Sequence, residues 1–164
     1  METARVVTEL GLLLFETPIG TCAIVWGDRG VVGVRLPEAS ESATRARVLR
    51  EFPGAHESPA PPHVRRAREG IVALLGGQAE DLSFIELDMS LIAPFNRRVY
   101  EIARTIPPGA TLSYGEIAAR LGDPGAARDV GAVLGQNPFA IVVPCHRVLA
   151  AGGKIGGFSA RGGI

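Results

Sequence analysis

The chain has 164 residues, 46% of them apolar and 21% charged, a globular composition for one medium domain or two small ones that excludes wholesale disorder. Seventeen basic residues balance seventeen acidic ones, which argues against a histone-like coat of positive charge. The balance conceals a division: residues 1–90 hold 9 Arg against 13 Asp and Glu, whereas residues 91–164 hold 7 Arg and Lys154 against 4 acidic residues, so an anion would be bound by the C-terminal half.

The first third reads as antiparallel sheet. Residues 9–15 and 21–26 are β-rich runs separated by the turn signal Thr17-Pro18-Ile19-Gly20, and Gly27-Asp28-Arg29-Gly30 precedes a third run, Val31-Val32-Gly33-Val34. A helix is predicted over 39–52, stopped by Pro53, followed by a loop over 53–62 that holds Pro53, Gly54, Pro59, Pro61 and Pro62. Val64, Ala67, Ile71 and Leu74 then recur at helical spacing until Gly76-Gly77, and Phe84-Ile85-Glu86-Leu87 predicts one more strand. The two cysteines, Cys22 and Cys145, lie far apart and form neither a disulfide framework nor a zinc pattern. No apolar run approaches the ~20 residues of a membrane span, and the N-terminus lacks the pattern of a secretory signal. These features predict a protein of the reducing cytoplasm with no membrane partner.

From about residue 92 the pattern becomes helical. Phe95, Val99, Ile102 and Ile106 keep one helix face apolar, with Pro94 in the first turn and Pro107-Pro108-Gly109 as the stop. Ser113-Tyr114-Gly115-Glu116 matches a capping box and places a helix over 114–121, which Gly122 breaks. Asp123 is then expected to cap a second helix with Pro124 at its first position, running through Ala127, Val130 and Leu134 to about Gly135. Two short helices around a glycine turn, behind a supporting helix, make a helix-turn-helix pattern in the basic half. Many helical domains that bind no nucleic acid contain such a pair.

Asn137-Pro138 leads into the apolar run Phe139-Ala140-Ile141-Val142-Val143, expected to be a buried strand, and then into Pro144-Cys145-His146-Arg147-Val148. A thiol is a useful nucleophile only as thiolate, a form that a neighbouring His or Arg stabilises. Cys145 has both within two residues. On residue chemistry alone, a buried structural cysteine remains the alternative.

Residues 94–161 resemble the DNA-binding and active-site half of the O6-alkylguanine-DNA alkyltransferases, the methylated-DNA–protein-cysteine methyltransferases. The resemblance is carried by Pro94-Phe95, by Gly109-Ala110-Thr111-Leu112-Ser113-Tyr114-Gly115-Glu116-Ile117-Ala118, by Ala126-Ala127-Arg128, by Gln136-Asn137-Pro138, by Ile141 through Val148, and by Gly152-Gly153 with Gly156-Gly157-Phe158-Ser159. In the N-terminal part the likeness is architectural, with Thr17-Pro18-Ile19-Gly20 as a short echo.

The resemblance implies an α+β protein: a small antiparallel sheet-and-helix domain over 1–90, packed on a helical, winged-helix-like domain over 91–164. It implies cofactor-free, single-turnover repair of O6-alkylguanine in double-stranded DNA, approached through the minor groove after nucleotide flipping, by a protein that is monomeric in solution and nucleoid-associated if bacterial. Cys145 would accept the alkyl group, His146 would act as general base through a water, and Asn137 would brace the turn that carries the thiol. Asn137 also reads as a simple helix C-cap, and both descriptions can hold. Arg128 would fill the space left by the flipped nucleotide, with Ala126 and Ala127 small enough to let the helix approach the groove floor. Tyr114 would press on the rotated phosphate and donate a proton toward the departing guanine. Val148 backbone, Gly156, Gly157, Phe158 and Ser159 would line the substrate pocket. A non-enzymatic lesion-binding relative is the alternative, against which the presence of Cys145 argues; an ordinary helix-turn-helix regulator fits Pro-Cys-His-Arg-Val poorly.

Several positions depart from the family pattern. Phe158 stands where many members have Tyr, and Ala160 where Gly is common. The sequence stops at Gly162-Gly163-Ile164, before the helix that in the family carries a Glu orienting the histidine, so truncation or a catalytically impaired member is an expectation to weigh. Cys22, His56 and His63 do not reproduce the zinc-ligand spacing of some members, and no metal site is expected.

Overall fold

Thr17-Pro18-Ile19-Gly20 makes the tight turn between β1 (Leu10–Thr17) and β2 (Gly20–Gly27), with the Thr17 hydroxyl donating to the Gly20 carbonyl at 2.7 Å and Gly20 at φ +123°. The structure is a computed structural model that describes residues 9–150. Asp28-Arg29 turns the chain into β3 (Gly30–Arg35), and Gly30 is required there twice over. Its φ is +131°, and a Cβ would come within 2.7 Å of the Glu86 carbonyl oxygen.

The sheet order is β3-β2-β1-β4, where β4 (Ala55–Glu57) pairs parallel to β1 through Leu10↔Ala55, Gly11↔His56 and Leu12↔Glu57. The sheet is therefore mixed, and the stretch 53–62 is not all loop. Three residues are too few to show alternation among prolines and glycine. β2, an inner strand beside β1, is apolar on both faces. Ala23 and Val25 join Leu12, Val48 and Ala55 beneath α1 (Glu41–Glu51), whereas Cys22, Ile24 and Trp26 face the main core. Ser40 caps α1 by accepting from the Ala43 N–H.

α2 (Pro62–Leu75) buries Val64, Ala67 and Ile71 in the main core, which continues without a break into Val99, Tyr100, Leu134, Phe139 and Val143 of the C-terminal half. The segment 84–87 is not a strand. Only the Val31–Leu87 bridge forms, with Val31 N–H donating to Glu86 and Asp88 N–H to Val31. The Ile85 N–H turns back to the Leu82 carbonyl, and the carbonyls of Leu82, Ser83 and Ile85 converge on the Arg104 guanidinium.

α3 (Pro94–Ala103) starts at the proline as expected but ends before Ile106. Ile106 precedes Pro107, whose ring disfavours helical backbone there. The Thr105 hydroxyl donates to the Ile102 carbonyl and helps close the turn. The pair β5 (Leu112–Ser113) and β6 (Val148–Leu149) is parallel, Leu112↔Val148 and Ser113↔Leu149. α4 (Tyr114–Arg120) opens with the expected capping box: the Glu116 N–H donates to the Ser113 hydroxyl, and the Glu116 carboxylate accepts from the Ser113 N–H.

Gly122, at φ +82°, terminates α4. Asp123 makes no side-chain cap; a 3-10 turn over Pro124–Ala126 intervenes, and α5 spans Ala127–Gly135. The proline and glycine at 124–125 favour that tighter start. The fold is α+β.

Candidate active site around Cys145

The apolar run at 139–143 is buried but is not a strand. The Val142 N–H donates to Ala140 at 2.8 Å, the Val143 N–H donates to Phe139 at 2.9 Å, and Ile141 sits at φ +73°. Apolarity marks burial, and it does not distinguish a strand from a packed turn. A β-branched residue in the left-handed region costs on the order of 1–3 kcal/mol and persists only where its surroundings enforce it.

Asn137 supplies that enforcement. Its side chain is 5% exposed, donates to the Val143 carbonyl at 2.8 Å and accepts from the Phe139 N–H at 2.8 Å. It thereby clasps the turn from inside, while its own N–H donates to Leu134 at the end of α5. One residue performs both the bracing and the helix-end bonds.

Cys145 opens a 3-10 turn, Cys145–Arg147, and is 9% exposed. Its N–H donates to the same Val143 carbonyl at 2.8 Å, so Asn137 and Cys145 meet on one acceptor. Arg147 fixes the far end of the turn by donating to the Ile106 carbonyl at 2.8 Å. The β5–β6 ladder then sets the residues after the thiol beside Ser113, immediately before Tyr114.

His146 is exposed at the surface, but its packed flank and the Arg147 charge hold its imidazole pKa below the ordinary 6.5. A neutral imidazole at neutral pH can accept a proton. The folded protein binds that proton less readily than the unfolded chain, so the contribution of His146 to folding stability is present above pH 6.5 and declines as pH falls below it. Melting temperature followed against pH is expected to lose this His146-dependent component in His146→Gln. Identical acid limbs in the two proteins would remove the assignment.

Tyr114 is half-buried at the first turn of α4, with its ring against Gly131 of α5. A Cβ at Gly131 would come within 2.8 Å of the Tyr114 ring, so this glycine makes room for the tyrosine. Arg128 is exposed in the first turn of α5 and forms no ion pair among the described residues. Ala127 is half-buried, whereas Ala126 is only 3% exposed and belongs to the core. Ala126 therefore packs inward and the half-buried Ala127 rests against the same core, while Arg128 faces out. Val148 is buried within β6. Gly156, Gly157, Phe158 and Ser159 lie outside the described residues.

Tyr100 and Gly131 belong to the site's support but are not evident as such in the sequence. Tyr100 is buried, donates to the Val133 carbonyl at 2.9 Å and meets Phe139 edge-on at 6.5 Å. Its phenol is pushed up to about 12 by burial and by the nearby Cys145 charge. The available signals were a tyrosine beside Val99 in a chain with 5% aromatics, and a glycine inside a helix, where glycine costs about 1 kcal/mol.

Cys22 offers no second reactive thiol. It is fully buried, and burial, with the Glu16 charge and against the Thr17 hydroxyl, raises its pKa to about 11. Among the described residues no cluster of three or more His, Cys, Asp or Glu could hold a metal, and His56 and His63 are exposed. Exhaustive chelation is therefore expected to leave melting temperature and transfer rate unchanged, and stoichiometric zinc in elemental analysis would contradict this. No described helix is long and apolar enough to cross a membrane.

A family model described as 6-O-methylguanine DNA methyltransferase, DNA binding domain, matches residues 94–164. The methylated-DNA–protein-cysteine methyltransferase of Mycolicibacterium paratuberculosis is 39% identical over 145 residues, spanning 87% of this chain and 80% of that protein. The protein of the same name from Methanothermobacter thermautotrophicus is 33% identical, over 90% of this chain and 75% of its own length. Among solved structures, Mycobacterium tuberculosis O6-methylguanine methyltransferase superposes with a TM-score of 0.68 at 33% identity, covering 92% of this chain and 84% of that one. The Mycobacterium tuberculosis protein in complex with DNA gives 0.65 at 34%, covering 90% and 83%. With Cys145 held in a buried turn that follows α5, and with this extent of identity, the chain belongs to the methylated-DNA–protein-cysteine methyltransferase family.

Proposed function

We propose that the protein repairs O6-alkylguanine in duplex DNA by moving the alkyl group onto Cys145 in a single turnover, after the damaged nucleotide has been rotated out of the stack. The observation that carries the reading is the clasped turn that bears the thiol: the backbone N–H of Cys145, a residue 9% exposed, shares the Val143 carbonyl with Asn137, within the segment matched by the DNA-binding-domain family model. In the step, the Cys145 thiolate attacks the alkyl carbon and the carbon–O6 bond breaks. The electron pair passes to the guanine, which takes up a proton. His146 accepts the thiol proton through a water, and Tyr114 donates toward the leaving base. The product is a thioether. The carbon–sulfur bond of a thioether resists hydrolysis, so the protein is consumed, without a cofactor.

Duplex DNA is the partner, entered from the minor groove by α5, and the protein works as a monomer. Arg128 takes the place of the flipped nucleotide; its exposed, unpaired position in the first turn of α5 suits that role. The Val148 backbone with Gly156, Gly157, Phe158 and Ser159 completes the pocket. Intact-mass analysis after incubation with an O6-methylguanine duplex tests the reading: one added methyl group, mapped to Cys145, supports it, and an unmodified Cys145 rejects it.

Arg128→Ala separates flipping from chemistry. Rotating a base out of a duplex costs a few kcal/mol, and a free base needs no plug. The variant is expected to lose about 100-fold in duplex repair while reacting with free O6-methylguanine at nearly the parent rate. Equal losses on both substrates would contradict the assigned role.

A further inference from the structure

We propose that Arg35, on the last residue of β3 in the N-terminal half, is a positioning residue for Cys145, acting through the peptide between Pro138 and Phe139. Arg35 donates from Nη1 to the Pro138 carbonyl at 2.7 Å, and the Val34 N–H donates to the same oxygen at 3.0 Å. The N–H of that peptide, on Phe139, donates to Asn137 Oδ1; Asn137 Nδ2 donates to the Val143 carbonyl; and the Cys145 N–H donates to that carbonyl as well. One unbroken run of hydrogen bonds therefore leads from a guanidinium in the N-terminal half to the backbone of the reactive cysteine.

Further contacts hold the guanidinium. Its Nε donates to Glu51, its Cζ lies 4.9 Å from the Phe52 ring centroid, and its side chain is only 14% exposed. Gly33 leaves the space it needs, because a Cβ there would come 2.6 Å from Phe52 and 3.2 Å from Arg35 Nη1. A cleft of about 410 Å³, lined by Arg35, Glu51, Asn137 and Pro138, opens at this junction, and Arg35 spans it. A charged donor on a peptide oxygen polarises that peptide and strengthens the bond its N–H makes next. The strained Ile141 lies inside the loop so held, which gives this turn a reason to need support from outside.

This inference rests on Cys145 as the methyl acceptor, and the test keeps the two apart. Arg35→Met keeps the aliphatic stem and removes the cation, while Arg35→Lys keeps a cationic donor for Pro138. Arg47→Met removes ion pairs to Glu38 and Glu51 in the same charge cluster without touching the turn. Full-length variants are compared in melting temperature, duplex Kd, amide exchange at Phe139 and Cys145, methyl transfer from duplex, and alkylation of Cys145 by iodoacetamide. Arg35→Met is expected to slow transfer about tenfold and to speed exchange at both amides by a similar factor, with duplex Kd little changed. Arg35→Lys restores most of both, and Arg47→Met keeps the parent rate.

Parent-like transfer and exchange in Arg35→Met would overturn the proposal. So would an equal slowing in Arg47→Met at an equal loss of melting temperature. Should Arg35→Met not fold, Glu51→Gln carries the test: loss of the carboxylate that aims the guanidinium should slow transfer about threefold, and an unchanged rate overturns the proposal. If the parent itself never methylates Cys145, the function is wrong; the iodoacetamide and exchange measurements still decide whether Arg35 positions the thiol.

Discussion

Cys145→Ala is expected to abolish methyl transfer, while the parent protein stops at one methyl group per active chain. The two results have one cause. If the same sulfur is nucleophile and final acceptor, its removal leaves no site for the methyl group, and its conversion to a thioether leaves no nucleophile for a second round. Cys22 cannot substitute, because it is fully buried with its thiol pKa raised to about 11. The variant should remain folded. Loss of one sulfur from a 9% exposed position costs about 1 kcal/mol, and the hydrogen bond from residue 145 to Val143 belongs to the backbone. Duplex binding should persist, since Arg128 on the outer side of α5 is untouched. Sustained turnover by the parent, or transfer by Cys145→Ala, would remove Cys145 from the mechanism.

The first hairpins and the capping box were legible because each has a local cause. Thr17-Pro18-Ile19-Gly20 determines a turn by its own backbone preferences, and Ser113 with Glu116 closes a box within four residues. The run at 139–143 misled for the opposite reason. Its five buried apolar residues look like a strand, but the conformation is dictated by the Asn137 side chain reaching six residues along to the Val143 carbonyl, a side-chain-to-backbone clasp with no periodic signature. Phe84 through Leu87 differ likewise: the segment forms a single bridge to β3, and Arg104, about twenty residues later, draws in the Ile85 carbonyl together with those of Leu82 and Ser83. At Asp123 a good capping residue was present, but Pro124-Gly125 favoured a 3-10 turn and left the side chain without a cap bond.

The site shows the same division. Cys145, His146 and Asn137 stand close together in sequence within recognisable motifs, so the chemistry can be read there. The residues that hold them come from elsewhere: Tyr100 from α3, Gly131 from the middle of α5, and Arg35 from the end of β3. Each of these looks ordinary in sequence, and its part in the site comes from tertiary packing.

Asn137→Ala should then cost the protein both stability and reactivity, well beyond the loss of an average polar side chain. The substitution leaves the Phe139 N–H without its acceptor and deprives the Val143 carbonyl of one of its two donors. Both residues are buried, so water cannot readily replace the lost partners. Leaving the buried Phe139 N–H unsatisfied costs about 1–3 kcal/mol, and losing the second hydrogen bond to the Val143 carbonyl costs about 1 kcal/mol more, a total of roughly 2–4 kcal/mol. At roughly 2–4 °C per kcal/mol for a chain of this size, the melting temperature should fall by about 5–15 °C. The turn also contains Ile141 at φ +73°, a conformation that relaxes once its clasp is gone. Relaxation there moves Val143, and with it the acceptor of the Cys145 N–H, so the thiol leaves its working position. Because a displacement of about 1 Å can cost 100-fold in rate, transfer at temperatures where the variant is still folded should drop by at least about that factor. Asn137→Asp adds a discriminating arm: it keeps an acceptor for Phe139 but sets a carboxylate oxygen against the Val143 carbonyl, and should be no better than alanine. Should Asn137→Ala melt with the parent and transfer at its rate, the clasp between Phe139 and Val143 would have no part in holding the thiol.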